Sequence, residues 1–434
     1  VRFYSTKNKN KFFSLRDAVL KGLPDDKGLF MPEYFPSFSD SFLKEAPSMS
    51  FREVAMHTAG TLLTDSMERN ALWEIVDESM NFDFPLVKIT DRIYALELFH
   101  GPTLAFKDVG ARFMAGLMAA FMKHENKRLT ILVATSGDTG GAVANGFHKK
   151  EGIEVIILYP SGKVSGLQEK QLITPGENIT AIKVEGTFDD CQRLVKEAFT
   201  DPALTGRYNL SSANSINIAR LIPQSFYYVY AASRLAGNGL PVVFCVPSGN
   251  FGNLTAGLFA WRMGLSVSHF IAATNVNDTV PSYLQTGKYM PRKSEHTLSN
   301  AMDVGDPSNF YRLLEIFGDD IDKIRNLISG QRISDTATRQ TIERIRKSSG
   351  YLLDPHGAVG YTALEKYVQE NRSVNGIFLE TAHPAKFADV MEEITGSPVE
   401  LPPALAALKN RAGYAIPLSN RYEDFRDFLV GRTS

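Results

Sequence analysis

The 434-residue chain carries 47 lysines and arginines against 48 aspartates and glutamates, a formal net charge of −1, with 44% hydrophobic and 22% charged residues. That length implies two or three structural units of ordinary globular composition, and the balanced charge offers no field for nucleic acid. No run approaches the ~20 apolar residues of a membrane span, and the opening VRFYSTKNKNKFF has no apolar signal core, so a cytoplasmic protein is expected, with an initiator methionine ahead of Val1.

From the N-terminus, short helical patterns over Leu15–Leu23, Phe51–Leu63 and Met67–Val76 alternate with Pro/Gly-bearing loops such as KGLFMPEYFP. They set residues 1–90 apart as a region without evident chemistry. From about Phe84 the texture changes. In HGPTLAFKDVGARF (100–113) Lys107 precedes apolar residues at helical spacing, namely Val109, Phe113, Leu117, Ala120 and Phe121. This places Lys107 in the first turn of a core helix, where unpaired N–H groups disfavour an ammonium. A lysine so held can act as an amine nucleophile.

Apolar runs then recur at LTILVA (129–134), VIILY (155–159), VVFCV (242–246), FIAAT (270–274) and GIFL (376–379). Each lacks polar alternation, as strands buried on both faces do. Helical patterns between them imply right-handed crossovers and a mainly parallel α/β sheet. The charged stretch from about Glu315 to Lys347 reads as outer helices. Small, polar and glycine residues follow the strands, in TSGDTG, PSGKVSGLQEKQ, PSGNFGNLTAGL and ETAHPAKFADVMEEI. Ligands bind above such strand ends in open parallel sheets.

PSGNFGNLTAGL (247–258) offers the N–H groups of Gly249, Asn250, Phe251, Gly252 and Asn253 as a phosphate cradle; a plain strand–helix turn is the other reading. TSGDTG (135–140) can grip a carboxylate, or Ser136 or Thr139 can simply cap a helix, with Asp138 favouring its dipole. In NLSSANSINIARL (209–221), Asn214, Ser215, Asn217 and Arg220 have the spacing of a third anion site, or of an N-cap followed by a surface arginine. The histidines include no metal-binding pattern, and His100, His356 and His383 read as packing or hydrogen-bonding residues. Cys191 and Cys245 have neither zinc nor redox spacing and read as buried thiols. A lysine at a helix start, a glycine cradle and a further anion site together suggest pyridoxal phosphate.

HGPTLAFKD, ATSGDTG, PSGNFGNLTAG, NSINIARL, AATNVNDTVP, TLSNAMDV and TAHPAKF, in that set, resemble threonine synthase in its longer bacterial and fungal form, from about Phe3 to near the C-terminus. The resemblance implies a two-lobed α/β pyridoxal phosphate fold of the tryptophan-synthase-β type (fold type II). An added N-terminal α+β region spans 1–90 and the catalytic region 91–434, with the smaller lobe at about 120–215 and the larger lobe the remainder. It also implies that Lys107 forms the Schiff base and that Gly249–Asn253 bind the cofactor's phosphate. Thr381 would bond the pyridine nitrogen, and Asp138 would stand where shorter relatives place an asparagine near the 3′-oxygen. Ser136, Thr139, Asn214, Ser215 and Arg220 fall in segments that bind the carboxylate and phosphate of O-phospho-L-homoserine, which the family converts with water to L-threonine and phosphate. A same-fold serine/threonine dehydratase is the enzymatic rival, though it has no use for a second phosphate site. A non-catalytic relative that binds a phosphorylated metabolite is the other, though it has no use for Lys107.

Overall fold

The backbone is ordered around three separate sheets. A computed structural model describes residues 1–123 and 125–432 of the chain. The first sheet is antiparallel and N-terminal, in spatial order Asn8–Phe13, Phe3–Ser5, Phe30–Pro32. The sequence reading contains no strand here, because NKNKFF is almost wholly exposed and carries no apolar alternation.

The larger sheet has the order Ile328–Arg332, His269–Thr274, Val242–Pro247, Asn375–Glu380, Ile93–Glu97, Leu86–Lys88. Every pairing in it is parallel except the last. The smaller sheet is wholly parallel, in the order Ile416–Ser419, Ile179–Glu185, Ile153–Pro160, Leu129–Ala134, Asn209–Ser212. All five apolar runs picked out in the sequence are central strands, buried as helices on both faces require. The architecture is therefore the expected α/β type.

Two expectations need correction. The smaller lobe is not confined to about 120–215. The strand Ile416–Ser419 pairs with Ile179–Glu185, and Phe425 and Leu429 of the helix Tyr422–Gly431 share a core with Leu132, Ile156 and Leu194. Without them the Ile179–Glu185 strand would be an open edge. Nor is the charged 315–347 stretch all helix. Ile328–Arg332 forms an edge strand between the helices Ile321–Leu327 and Asp335–Ser349, and its polar sequence ISGQR suits a half-exposed edge.

The N-terminal elements join the main core rather than sitting beside it. Phe3, Val19 and Phe30 share one apolar cluster with Val109, Phe113 and Phe244. The Asn217 amide donates to the Val19 carbonyl (2.9 Å) and Arg312 Nε to that of Phe30 (3.1 Å). Arg312 Nη2 also donates to the Ile216 carbonyl (2.7 Å), so Asn217 and Arg312 tie the 209–221 segment to the N-terminal region.

Candidate active site

Lys107 is the first residue of the helix Lys107–Met122, which buries Val109, Phe113 and Leu117. The chain reaches it through Leu104 at φ 57°, a left-handed step that turns the loop back onto the exit of the Asn375–Glu380 strand. There the Phe106 N–H donates to the Thr381 carbonyl (2.9 Å), the His383 N–H donates to that of Leu104 (3.0 Å), and Ala105 bridges Ala382. Lys107 and Thr381, far apart in sequence, thus lie side by side. The Lys107 side chain is 17% exposed, with Nζ 3.9 Å from Asp138 Oδ2. Burial pushes its amine below the usual lysine range; Asp138 works against this, while Lys386 and Arg220 reinforce it.

Asp138 opens the helix Asp138–Phe147. Its carboxylate is buried, yet Lys386 Nζ at 2.7 Å and Gln168 Nε2 at 2.9 Å both reach Oδ1. Burial alone would raise its pKa, but Lys386, Lys107 and these hydrogen bonds hold it well below the carboxylate range. Neither Ser136 nor Thr139 caps this helix. Thr135 Oγ1 accepts from the N–H groups of Gly137 (3.0 Å) and Gly140 (2.8 Å) instead, because Gly137 at φ 141° turns the loop inward. Ser136 is left exposed and Thr139 half-buried at the rim.

The Ser248–Asn253 loop leads from the strand Val242–Pro247 into the helix Gly252–Arg262, with Phe251 in the left-handed region at φ 61°. Among the described residues, no protein group accepts from the N–H groups of Gly249, Asn250, Phe251, Gly252 or Asn253. A Cβ on Gly249 would meet the Ala301 carbonyl oxygen at 2.6 Å, so the loop passes where only glycine fits. The Asn253 carbonyl-type Oδ1 accepts from the hydroxyls of Tyr227 (2.6 Å) and Tyr228 (2.7 Å), which fixes the first turn of the helix.

The 214–220 segment bridges these loops. Asn214 Nδ2 donates to the Ala134 carbonyl (2.9 Å), and Asn250 Nδ2 donates to Ser215 Oγ. Both side chains are therefore engaged in joining loops, not simply turned toward an anion. Asn217 does not face the site at all: it is buried and caps the four-residue helix Ile218–Leu221. Arg220 is no surface arginine, being 3% exposed. Nη1 donates to the Ala213 carbonyl (2.7 Å), and Nε is buried without a partner. Burial, opposed by Asp108, brings this guanidinium down to about 10. So short a helix adds little dipole, and the anion-binding capacity of this corner rests on the guanidinium itself.

Sequence reasoning missed Gln168, Gln171 and Lys386. Lys386 and Gln171 both donate to the Thr103 carbonyl, at 2.8 and 3.1 Å. All three lie in segments after strand ends already marked as ligand-facing, Gln168 and Gln171 on the helix Gly166–Ile173 and Lys386 in the turn Pro384–Phe387, but nothing local distinguishes a buried Lys386 from a surface one. Behind the site, Asp354 and Glu380 are buried together, and His356 accepts the Ala301 N–H through Nε2 (3.3 Å), so its Nδ1 donates to Asp354 Oδ1 (2.6 Å). His383 caps Ala385 and His100 pairs with Glu97, so the three histidines are hydrogen-bonding residues. Both cysteines are buried and free.

These residues suit pyridoxal phosphate: a largely buried amine of weakened basicity, five N–H groups at a helix start with no acceptor among the described residues, and a hydroxyl residue whose backbone pairs with the segment leading into Lys107. Among the described residues no group of His, Cys, Asp or Glu could hold a metal ion, and no helix is long and apolar enough to cross a membrane.

Comparison with known proteins agrees with this chemistry. The family described as "Threonine synthase N terminus" matches residues 2–80, "Pyridoxal-phosphate dependent enzyme" matches 84–377, and "Threonine synthase, C-terminal" matches 357–429. The threonine synthase of Haemophilus influenzae is 43% identical over 431 residues, covering 99% of this chain and 100% of its own. The crystal structure of threonine synthase from Escherichia coli superposes with a TM-score of 0.92 at 42% identity, covering 99% of both chains. A pyridoxal-phosphate-bound threonine synthase from Brucella melitensis gives 0.92 at 35% identity, covering 99% of this chain and 98% of its own.

Proposed function

From the premise that this chain belongs to the threonine synthase family of pyridoxal-phosphate-dependent enzymes, we propose that its substrate is O-phospho-L-homoserine, which it converts with water to L-threonine and phosphate. The observation that carries this reading is the presence of two separate anion-receptive groups around one weakened amine. The free N–H groups of Gly249–Asn253 receive the cofactor's phosphate, and Arg220, with a buried unpartnered Nε, receives the substrate's. A dehydratase needs only the first.

Bound at Lys107, the cofactor supplies the electron sink for the carbanion character that must develop at the α and then the β carbon before phosphate leaves the γ carbon. The chain supplies the rest. Lys107 Nζ would hold the cofactor and, once released, would take and return protons as an amine whose basicity burial lowers. The Thr381 hydroxyl would bond the ring nitrogen without holding it protonated. Asp138, kept ionised by Lys386, stands beside Lys107, where it would face the cofactor's ring oxygen. Ser136 and Thr139 at the rim receive the substrate's carboxylate. Asn214 and Ser215 support Arg220 at the phosphate by fixing the loops on either side.

Incubation with O-phosphohomoserine should give threonine and phosphate in equal amounts, and borohydride reduction followed by peptide mapping should leave the pyridoxyl group on Lys107. Phosphate without threonine, or an oxo acid formed from threonine alone, would instead mark the dehydratase chemistry. Absence of turnover in a cofactor-loaded protein would favour the metabolite-binding reading.

A further inference from the structure

Lys386 sits in the single turn Pro384–Phe387, just beyond the strand that delivers Thr381, and its side chain is wholly buried. Its Nζ is 2.7 Å from Asp138 Oδ1 and 2.8 Å from the Thr103 carbonyl. The other oxygen of the same carboxylate is 3.9 Å from Lys107 Nζ, beyond hydrogen-bond reach. One buried carboxylate therefore stands between two amines and is shared unequally, with the close contact going to Lys386.

We propose that Lys386 is a positioning residue for the amine at Lys107: by holding Asp138 on one oxygen, it prevents the carboxylate from closing on Lys107. This rests on the reading that Lys107 carries the cofactor. A buried carboxylate without a counter-charge seeks the nearest cation, and with Lys386 removed that cation is Lys107. A direct ion pair there would stabilise the ammonium and remove the nucleophile. With Lys386 present, Asp138 is satisfied elsewhere.

The other charges around Lys107 fit the same account. Arg220, from the helix Ile218–Leu221, adds positive charge and also disfavours the ammonium. Asp108, next in Lys107's own helix, is turned away: its carboxyl accepts from the Thr103 N–H (2.9 Å) and hydroxyl (2.6 Å). Asp138 is thus the anion positioned to reclaim Lys107, and Lys386 is what restrains it.

The test measures the amine directly. Full-length protein stripped of cofactor is mixed with pyridoxal phosphate across a pH series, and the rate of capture reports the fraction of free amine. In Lys386→Met the pH midpoint of capture should rise by about one unit or more, slowing capture about tenfold below that midpoint. The Thr103 carbonyl keeps Gln171 as a donor, which favours folding of this variant. In Lys386→Met/Asp138→Asn no carboxylate remains to close on Lys107, and the midpoint should return to the wild-type value or below. A wild-type midpoint in the folded single variant overturns the proposal, as does a raised midpoint in the double variant. The double variant decides alone if the single one does not fold. Borohydride mapping of the wild type separates this from the underlying reading: a label on Lys386 defeats the assignment of Lys107, whereas a label on Lys107 with unmoved midpoints defeats only the role of Lys386.

Discussion

Gly249 and Gly252 stand in one loop but under different constraints. A Cβ on Gly249 would press on the Ala301 oxygen at 2.6 Å and on Met302 Cα at 2.9 Å, both backbone atoms. Gly249→Ala should therefore cost about 1–3 kcal/mol of stability by overpacking, read as a lowered Tm. At Gly252 the nearest atom is the Asn309 amide nitrogen at 3.3 Å, the end of a side chain. Gly252→Ala should fold almost as the wild type, so any loss of cofactor there, followed by absorbance, reports obstruction of the ligand and not of the fold. If the bulkier Gly252→Val keeps full cofactor occupancy, the phosphate lies elsewhere. Arg220 poses a comparable question for the substrate. Arg220→Lys keeps a charge but loses the planar fork and the bond to Ala213. It should lower kcat/KM for O-phosphohomoserine by about 1–3 kcal/mol in transition-state binding with unchanged pyridoxal phosphate content. Cofactor loss with normal substrate handling would show that the two anion sites have been exchanged.

The strand Asn375–Glu380 and the helix Pro355–Glu370 meet at a buried pair of carboxyls. Asp354 caps that helix, accepting from the N–H groups of His356 (2.8 Å) and Gly357 (3.3 Å), while a Cβ on Gly357 would fall 2.2 Å from Glu380 Oε2. Burial, and then the charge of Asp354, push Glu380 well above the carboxylate range. Burial also works to raise Asp354, but the neighbouring Glu380 and His356 bring it below, so the two carboxyls are shifted in opposite directions, with neither Glu380 oxygen hydrogen-bonded among the described residues. A raised carboxyl stabilises the fold at acidic pH and loses that contribution as pH rises through its folded value. Asp354 acts in the opposite sense, its share being lost as pH falls through its lowered value. Glu380→Gln keeps a neutral donor and removes the ionisation, so its Tm should decline less than that of the wild type toward alkaline pH. Coincident alkaline limbs would show that Glu380 is not raised. Elements such as this strand were legible in the sequence because burial on both faces leaves an unbroken apolar run. Edge strands such as Asn8–Phe13 and Ile328–Arg332 were not, since they need no such run, and the interior strands Ile93–Glu97 and Ile179–Glu185 were missed as well, their runs being broken by half-buried residues such as Tyr94 and Lys183. Similarly, Lys107 could be picked out from its own helix, whereas Lys386 acquires its meaning only from Asp138 and Thr103.

Across the whole molecule, the N-terminal region is part of the scaffold on which the site is built. The helix Phe51–Leu63 packs on Gln224–Leu235, and Leu15–Lys21 packs on the helix that begins with Lys107. Deleting residues 1–80 would uncover the apolar faces of both core helices, and the remaining chain is expected to be recovered as aggregate, judged by soluble yield and dye binding to exposed apolar surface. The opposite terminus has a different consequence, in the order of synthesis. Ile416–Ser419 leaves the ribosome long after its partner Ile179–Glu185. The smaller lobe must therefore wait with an unpaired strand edge and with Leu194 and Ile182 incompletely covered until residues 416–429 have been made. This segment acts as a seal applied late in synthesis. A chain stopped at Tyr414 is expected to be cleared or to aggregate instead of yielding a shortened enzyme, and a separate peptide spanning 412–432 should restore its solubility by adding the missing strand.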